Sequence, residues 1–136
     1  MTKTKEILNK KVKVAVPGSC GELFQGKIGD DNLLISCPID KYSRVTAFRT
    51  NKFRGVRLNK DYPKSLLAVK KFLEYSNHDQ VGLELDFQSE LLQSKGMGSS
   101  TADITAALSA VMILLNNKIN WKLLKDILIS IEPTDS

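Results

Sequence analysis

Between Ser94 and Ala102 the chain reads Ser-Lys-Gly-Met-Gly-Ser-Ser-Thr-Ala, a glycine- and serine-rich stretch that runs straight into an apolar helical pattern. Those residue types at such a junction suit anion binding. The first turn of a helix leaves backbone N–H groups unpaired and carries the positive end of the macrodipole. Glycines let the backbone approach a ligand closely, and hydroxyls add donors or a metal ligand. The guest this predicts is a phosphate. Two familiar phosphate loops are excluded. A Walker A loop needs Lys and then Ser or Thr after its last glycine, whereas Gly98 is followed by Ser99. A dinucleotide fingerprint needs a third glycine where Thr101 stands. The plain alternative is an ordinary loop closed by a serine cap, and Lys95 reads as a phosphate contact or as a surface charge.

Other residues that could do chemistry are fewer. Ser19 lies in Pro17-Gly18-Ser19-Cys20-Gly21-Glu22 but not in a nucleophile-elbow pattern. His78, in Ser76-Asn77-His78-Asp79, has no triad partners nearby and reads as a solvated loop residue. Cys20 and Cys37 are the only cysteines and lack metal-type spacing, so they read as reduced, small, buried residues of a cytoplasmic protein. Trp121 reads as a core anchor, with a nucleobase platform as the sharper alternative.

The elements that must position these residues follow from periodicity. Val12, Val14 and Val16 alternate with Lys13 and Ala15 as a half-buried strand, which Pro17-Gly18 is expected to stop. Gly18, Gly21, Gly26 and Gly29 then suggest a glycine-punctuated loop. Asn32–Ser36, Tyr42–Thr50 and Val56–Leu58 read as three further strands. Tyr62, Leu66, Val69 and Leu73 share one face of a helix with Pro63 in its first turn. Val81, Leu83, Leu85 and Phe87 alternate as the clearest strand. After the glycine loop, Ile104, Ala107, Leu108, Val111, Met112 and Leu115 define a second helix, with Ala102, Ala106 and Ala110 as a stripe of small residues. Asn116-Asn117 ends it. Asn120 then caps a third helix, with Trp121, Leu124, Leu128 and Ile131 inward. This order predicts an α+β domain of two layers, a mostly antiparallel sheet with helices on one face.

The totals bound the class. The 136 residues make one domain or part of one, and 42% apolar with 26% charged residues describes a globular chain. The polar residues 1–11 are expected to fray. By hydropathy no apolar run is expected to approach the roughly 18 residues of a membrane span. The net charge of +5 comes from scattered basic residues with no RNA-binding aromatic motif or zinc pattern. A polyphosphate substrate fits that charge better than nucleic acid does, and neither nucleic acid nor a membrane is expected as a partner.

The glycine–serine stretch resembles the second motif of the GHMP kinases (galactose, homoserine, mevalonate and phosphomevalonate kinases). Met97 replaces a leucine, Thr101-Ala102 replace a pair of alanines, and the upstream proline is absent. The segment Val16–Gly26 is similar to the family's first motif, which shapes the substrate pocket. Its form is most similar to that of L-threonine kinases linked to cobalamin side-chain synthesis and propanediol utilisation. Ser36-Cys37-Pro38-Ile39-Asp40 and Glu132-Pro133-Thr134-Asp135-Ser136 resemble the same subgroup.

The resemblance implies that residues 1–136 form a GHMP kinase N-terminal domain with a left-handed βαβ crossover. The C-terminal domain, with a third glycine-rich motif, lies outside this chain. It implies ATP and Mg²⁺, and transfer of a phosphoryl group to an amino-acid hydroxyl, expected to be that of L-threonine. Lys95, Gly96, Met97, Gly98, Ser99, Ser100 and Thr101 would then hold the triphosphate. Ser100 would be the Mg²⁺ ligand, with Ser99 second to it. Glu132 would approach the metal or remain a surface charge. Asp135 matches a catalytic base used by some members, or else binds backbone at a helix end. Ser19, Gly21 and Glu22 fall on the substrate side, where Glu22 would pair with the substrate ammonium or hold its own glycine loop. The alternatives are another small alcohol as acceptor, a truncated or split-gene half that acts only through a partner domain, and a basic nucleic-acid-binding domain.

Overall fold

The computed structural model describes residues 10–28, 31–91 and 99–132. In chain order the elements are β1 (Lys11–Ile28), β2 (Asp31–Thr50), β3 (Gly55–Leu58), α1 (Pro63–Tyr75), β4 (Gly82–Ser89), α2 (Ser99–Asn116) and α3 (Trp121–Ile131). The strands form one sheet in the order β1-β2-β4-β3. β1 with β2 and β2 with β4 are antiparallel, while β3 and β4 run parallel and are joined through α1.

Period-two alternation sets the faces of the sheet. Val45, Ala47, Leu83, Leu85 and Phe87 are buried, and the register pairs Val45 with Phe87 and Ala47 with Leu85. They share one core with the helices. Lys11, Lys13 and Gln88 point outward and are exposed. On that outer face Lys11 Nζ lies 5.5 Å from the Phe48 ring centre and Arg57 lies 3.9 Å from that of Phe53. The helices thus cover one face of a mostly antiparallel sheet, as the element order predicts.

The first half of the sheet differs from the sequence expectation. Pro17-Gly18 does not stop β1, and the expected glycine loop and separate short strand belong instead to two long paired strands. β1 is an edge strand, where a proline interrupts the fewest ladder bonds. The misfit is absorbed by register shifts between Pro17 and Ser19, Ser19 and Glu22, and Glu22 and Phe24. Pro38 stands opposite Ser19 within this irregular stretch.

α2 is the central element, packed against β1 and β2 of the sheet and against both α1 and α3. It is buried nearly all round, from Ala102 to Met112 and again at Leu114. Ala102, Ala106 and Ala110 keep its surface low enough for close packing. Contrary to the expectation from hydropathy, its 18 residues are long and apolar enough to cross a membrane, but two thirds of that length is buried among its neighbours. It ends as expected at Asn116, with Asn117 in the left-handed region at φ 62°.

The flanking helices depart in detail. α1 turns Ser65, Ala68, Val69, Phe72 and Leu73 inward, leaving Leu66 half-buried and Tyr62 just outside its start. His78 is half-buried rather than solvated. Its Nδ1 lies 2.9 Å from the Ser76 hydroxyl, and its N–H donates to the Leu73 carbonyl at the end of α1. Asn120 caps α3 as expected, accepting from the Leu123 N–H at 3.1 Å. Trp121 is no core anchor. It opens α3 at the rim and stays 67% exposed, while Leu124 and Ile127 carry the buried face.

Candidate functional site

Of the buried polar residues, all but Ser109 — Ser43, Ser65, Ser99 and Asp103 — lie at one end of a mainly apolar core. They gather where α1 and α2 both begin. Between those helix starts lies a cleft of about 270 Å³ lined by Tyr62, Pro63, Lys64, Ser65, Ser99, Ser100 and Asp103. Two helix N-termini facing one cleft give it positive potential and orphan N–H donors.

The connection from β3 sets the α1 side. Asn59 pairs with Phe87 through its side chain, which accepts the Phe87 N–H at 2.7 Å and donates to the Phe87 carbonyl at 3.2 Å. That lays Tyr62 over the Phe87 ring, with centroids 4.2 Å apart and planes 18° apart. Such a stack contributes about 0.5–1.5 kcal/mol beyond its area. Pro63 then opens α1 and places Lys64 and Ser65 at the cleft.

On the α2 side, Ser99 is the first helical residue, and Ser100 and Thr101 follow in the first turn. Glu132, at the end of α3, reaches this turn. Its carboxylate accepts from the Ser100 hydroxyl at short range, from the Thr101 hydroxyl at 2.8 Å and from Lys64 Nζ at 3.0 Å. Burial acts to raise the Glu132 carboxyl, but the donors Ser100, Thr101 and Lys64 outweigh it and hold the group below its ordinary value. A carboxylate at a helix N-terminus is also favoured by the macrodipole.

Asp103, one turn deeper, is the only charged residue of α2 and is buried. Its Oδ1 accepts from the Ser43 hydroxyl of β2 at 2.5 Å. Burial pushes its carboxyl above the ordinary value, hydrogen bonds from Ser43 and Ser89 pull it back, and the charge of Glu132 adds to the push. Because Ser43 pairs with Ser89 in the sheet, Asp103 ties the start of α2 to β2 and β4 together. Burial, followed by the charge of Asp103, also raises the Tyr62 hydroxyl.

Of the residues the sequence singled out, the structure brings Ser99, Ser100, Thr101 and Glu132 together. Lys95, Gly96, Met97, Gly98 and Asp135 lie outside the described residues. Ser19, Gly21 and Glu22 fall in the irregular part of β1, beyond the Val16–Ser43 pair and therefore toward the Asp103 end of the sheet, but Ser19 does not line the cleft. Sequence reasoning missed Tyr62, Lys64, Ser43 and Asp103. A lone carboxylate in an otherwise uncharged apolar helix was the available signal for Asp103. Nothing local marked Lys64 or Ser43, because their role depends on contacts 68 and 60 positions away.

The donors fit a hard cation that keeps most of its shell for water and phosphate oxygens. One carboxylate and two hydroxyls meet at the first turn of α2, and no group of three or more His, Cys, Asp or Glu occurs among the described residues. That set suits Mg²⁺ carried on a nucleotide rather than a protein-only metal cage.

Residues 61–135 match the GHMP kinases N terminal domain. The chain belongs to the GHMP kinase family as an N-terminal domain of its α+β fold. It is 37% identical over 123 residues to the L-threonine kinase of Citrobacter freundii, covering 88% of this chain and 41% of that protein. It is equally identical over the same length to the L-threonine kinase of Salmonella typhimurium, covering 39% of it. The chain thus spans about two fifths of the length of these curated relatives. The fold is also that of the Methanococcus jannaschii mevalonate kinase, with a TM-score of 0.73 at 18% identity, over 91% of this chain and 46% of that one. The homoserine kinase of Cytophaga hutchinsonii superposes with a TM-score of 0.67 at 20% identity, over 92% and 42%.

Proposed function

We propose that this domain is the nucleotide-holding half of an ATP-dependent kinase that phosphorylates the hydroxyl of an amino acid, L-threonine, to give O-phospho-L-threonine. The observation that carries this reading is the meeting of Ser100, Thr101 and Glu132 at the first turn of α2, beside a cleft between two helix starts. Phosphoryl transfer asks for positioning and charge neutralisation more than for covalent chemistry. Lys95–Gly98 and the first turn of α2 wrap the triphosphate in this reading, and Ser100 with Glu132 hold Mg²⁺. Mg²⁺, when bound, neutralises the charge that spreads over the phosphate oxygens. Asp135 takes the proton of the acceptor hydroxyl, and Ser19, Gly21 and Glu22 receive the amino acid, with Glu22 opposite its ammonium. The choice of threonine is supported by the two relatives, which are L-threonine kinases. A place in the synthesis of the cobalamin side chain is the further reading that the likeness of Val16–Gly26 to the first motif supports. A cytoplasmic location for this reaction is supported by the low cysteine count.

The test is ADP release by the whole reading frame with L-threonine, L-homoserine, L-serine and mevalonate as separate acceptors. Threonine is expected to turn over fastest. Ser100→Ala and Glu132→Gln are each expected to lower kcat/KM by about 10- to 100-fold. Turnover of another alcohol without threonine would remove the acceptor assignment and leave the kinase. Full activity in both variants would remove the site.

A further inference from the structure

Lys64 stands in an unusual place for a lysine. It is the second residue of α1, in a first turn that carries no acidic residue. A cation there opposes the helix dipole, so helix stability does not account for it. Its ammonium instead sits 3.0 Å from Glu132 Oε2, the same carboxylate oxygen to which Ser100 donates. The two partners are held unequally. The Glu132 side chain is 19% exposed and fixed by two hydroxyls, whereas the Lys64 side chain is 57% exposed. The carboxylate is anchored and the ammonium is the partner free to move. Among the described residues lining the cleft Lys64 is also the only cationic one, so on leaving Glu132 it stays beside any anion bound there. Its flexible four-carbon stem carries a point charge without the fixed fork geometry of arginine.

We infer that Lys64 is a positioning residue with two stations: it neutralises Glu132 while no divalent cation is bound, and passes to the phosphates of the nucleotide when the cation takes Glu132 and Ser100. The inference rests on the proposed nucleotide site and deepens it, since cation and ammonium then compete for one oxygen while ammonium and nucleotide attract. Removing Lys64 therefore acts with opposite sign on the two ligands, which a simple structural defect would not do.

The experiment uses the full-length protein, with Lys64→Met, Lys64→Arg and Glu132→Gln beside the unaltered chain. Binding of Mn²⁺ alone is followed by electron paramagnetic resonance, and binding of Mg-ATP by calorimetry. Lys64→Met is expected to bind Mn²⁺ about two- to fivefold more tightly, the range set by the coupling of a partly exposed ion pair, and to bind Mg-ATP more weakly by at least that factor. Lys64→Arg, which keeps the charge, is expected to stay near the unaltered protein in both. Mn²⁺ affinity unchanged or lowered in Lys64→Met overturns the inference. If Glu132→Gln still weakens Mn²⁺ binding in that case, only the role of Lys64 falls. If neither substitution affects Mn²⁺, the cation site falls with it.

Discussion

Asp103 shows how much a single buried carboxyl can organise. It sits one turn inside α2, takes a hydrogen bond from Ser43, and fixes the helix start from which Ser99, Ser100 and Thr101 project. A hydrogen bond to a charged group is worth about 1.5–3 kcal/mol, but burial opposes the charge itself. An acid whose folded pKa is raised binds more protons folded than unfolded, so its contribution to stability is present at low pH. That contribution is lost as pH rises from the unfolded value of about 4 toward the raised folded one. Glu132, lowered, acts in the opposite sense: its contribution is present above the unfolded value and is lost as pH falls through the folded one. Asp103→Asn keeps an oxygen for Ser43 and cannot ionise. The variant is expected to lose the decline in urea midpoint that Asp103 causes as pH rises above about 4, while keeping the Glu132 trend. Superimposable midpoint-against-pH curves for the two proteins would contradict this account. Ser100 and Glu132 were legible in the sequence through motif position, whereas Asp103 and Lys64 were not, because their partners come from β2 and from the end of α3.

At the scale of elements, local pattern and tertiary context divide the outcome. The alternation at Val81–Phe87 and the spacing of α2 translated directly into structure. The Pro17-Gly18 pair did not, because its effect depends on whether the strand is at an edge, and pairing decides that. The β2–β3 turn adds a constraint with no signal in hydropathy. Gly82 opens β4 paired with Thr50 on one side and Gly55 on the other. A Cβ at this position would collide with the backbone carbonyl oxygens of Phe53 and Thr50. Backbone cannot yield as a side-chain tip can, so Gly82→Ala is expected to cost about 1–3 kcal/mol, measured by chemical denaturation. Stability equal to that of the unaltered protein would mean that the turn at 51–54 has other conformations open to it.

Taken together, the described residues form one sheet and three helices sharing one core, with α2 touching both layers. Leu108, fully buried in α2, belongs to that core. Leu108→Ala is expected to remove about 2–5 kcal/mol from a domain whose total is typically about 5–15. Far-ultraviolet and near-ultraviolet circular dichroism are expected to report a single, earlier transition for the variant. Separate transitions would show that α3 or the long β1–β2 pair unfolds independently. Leu67, Tyr75, Trp121 and Ile129 remain large apolar residues partly open to solvent on α1 and α3. The same shared core holds the cleft: Phe87 supports Tyr62 from the sheet, and Ser43 holds Asp103 from β2.

By itself the sequence determined the α+β class, the mostly antiparallel sheet with helices on one face, the glycine–serine stretch before α2 and the family. Each of these is written in short-range order: a period of two or 3.6, a cap, or residue types within one turn of each other. Only the tertiary structure decided that β1 and β2 run on past their prolines, that Trp121 faces solvent, and that Lys64 and Glu132 meet at Ser100. Those outcomes depend on which backbone groups find partners and which charges are drawn together across dozens of residues. Pairing and electrostatics across the fold set them, and no local pattern encodes them.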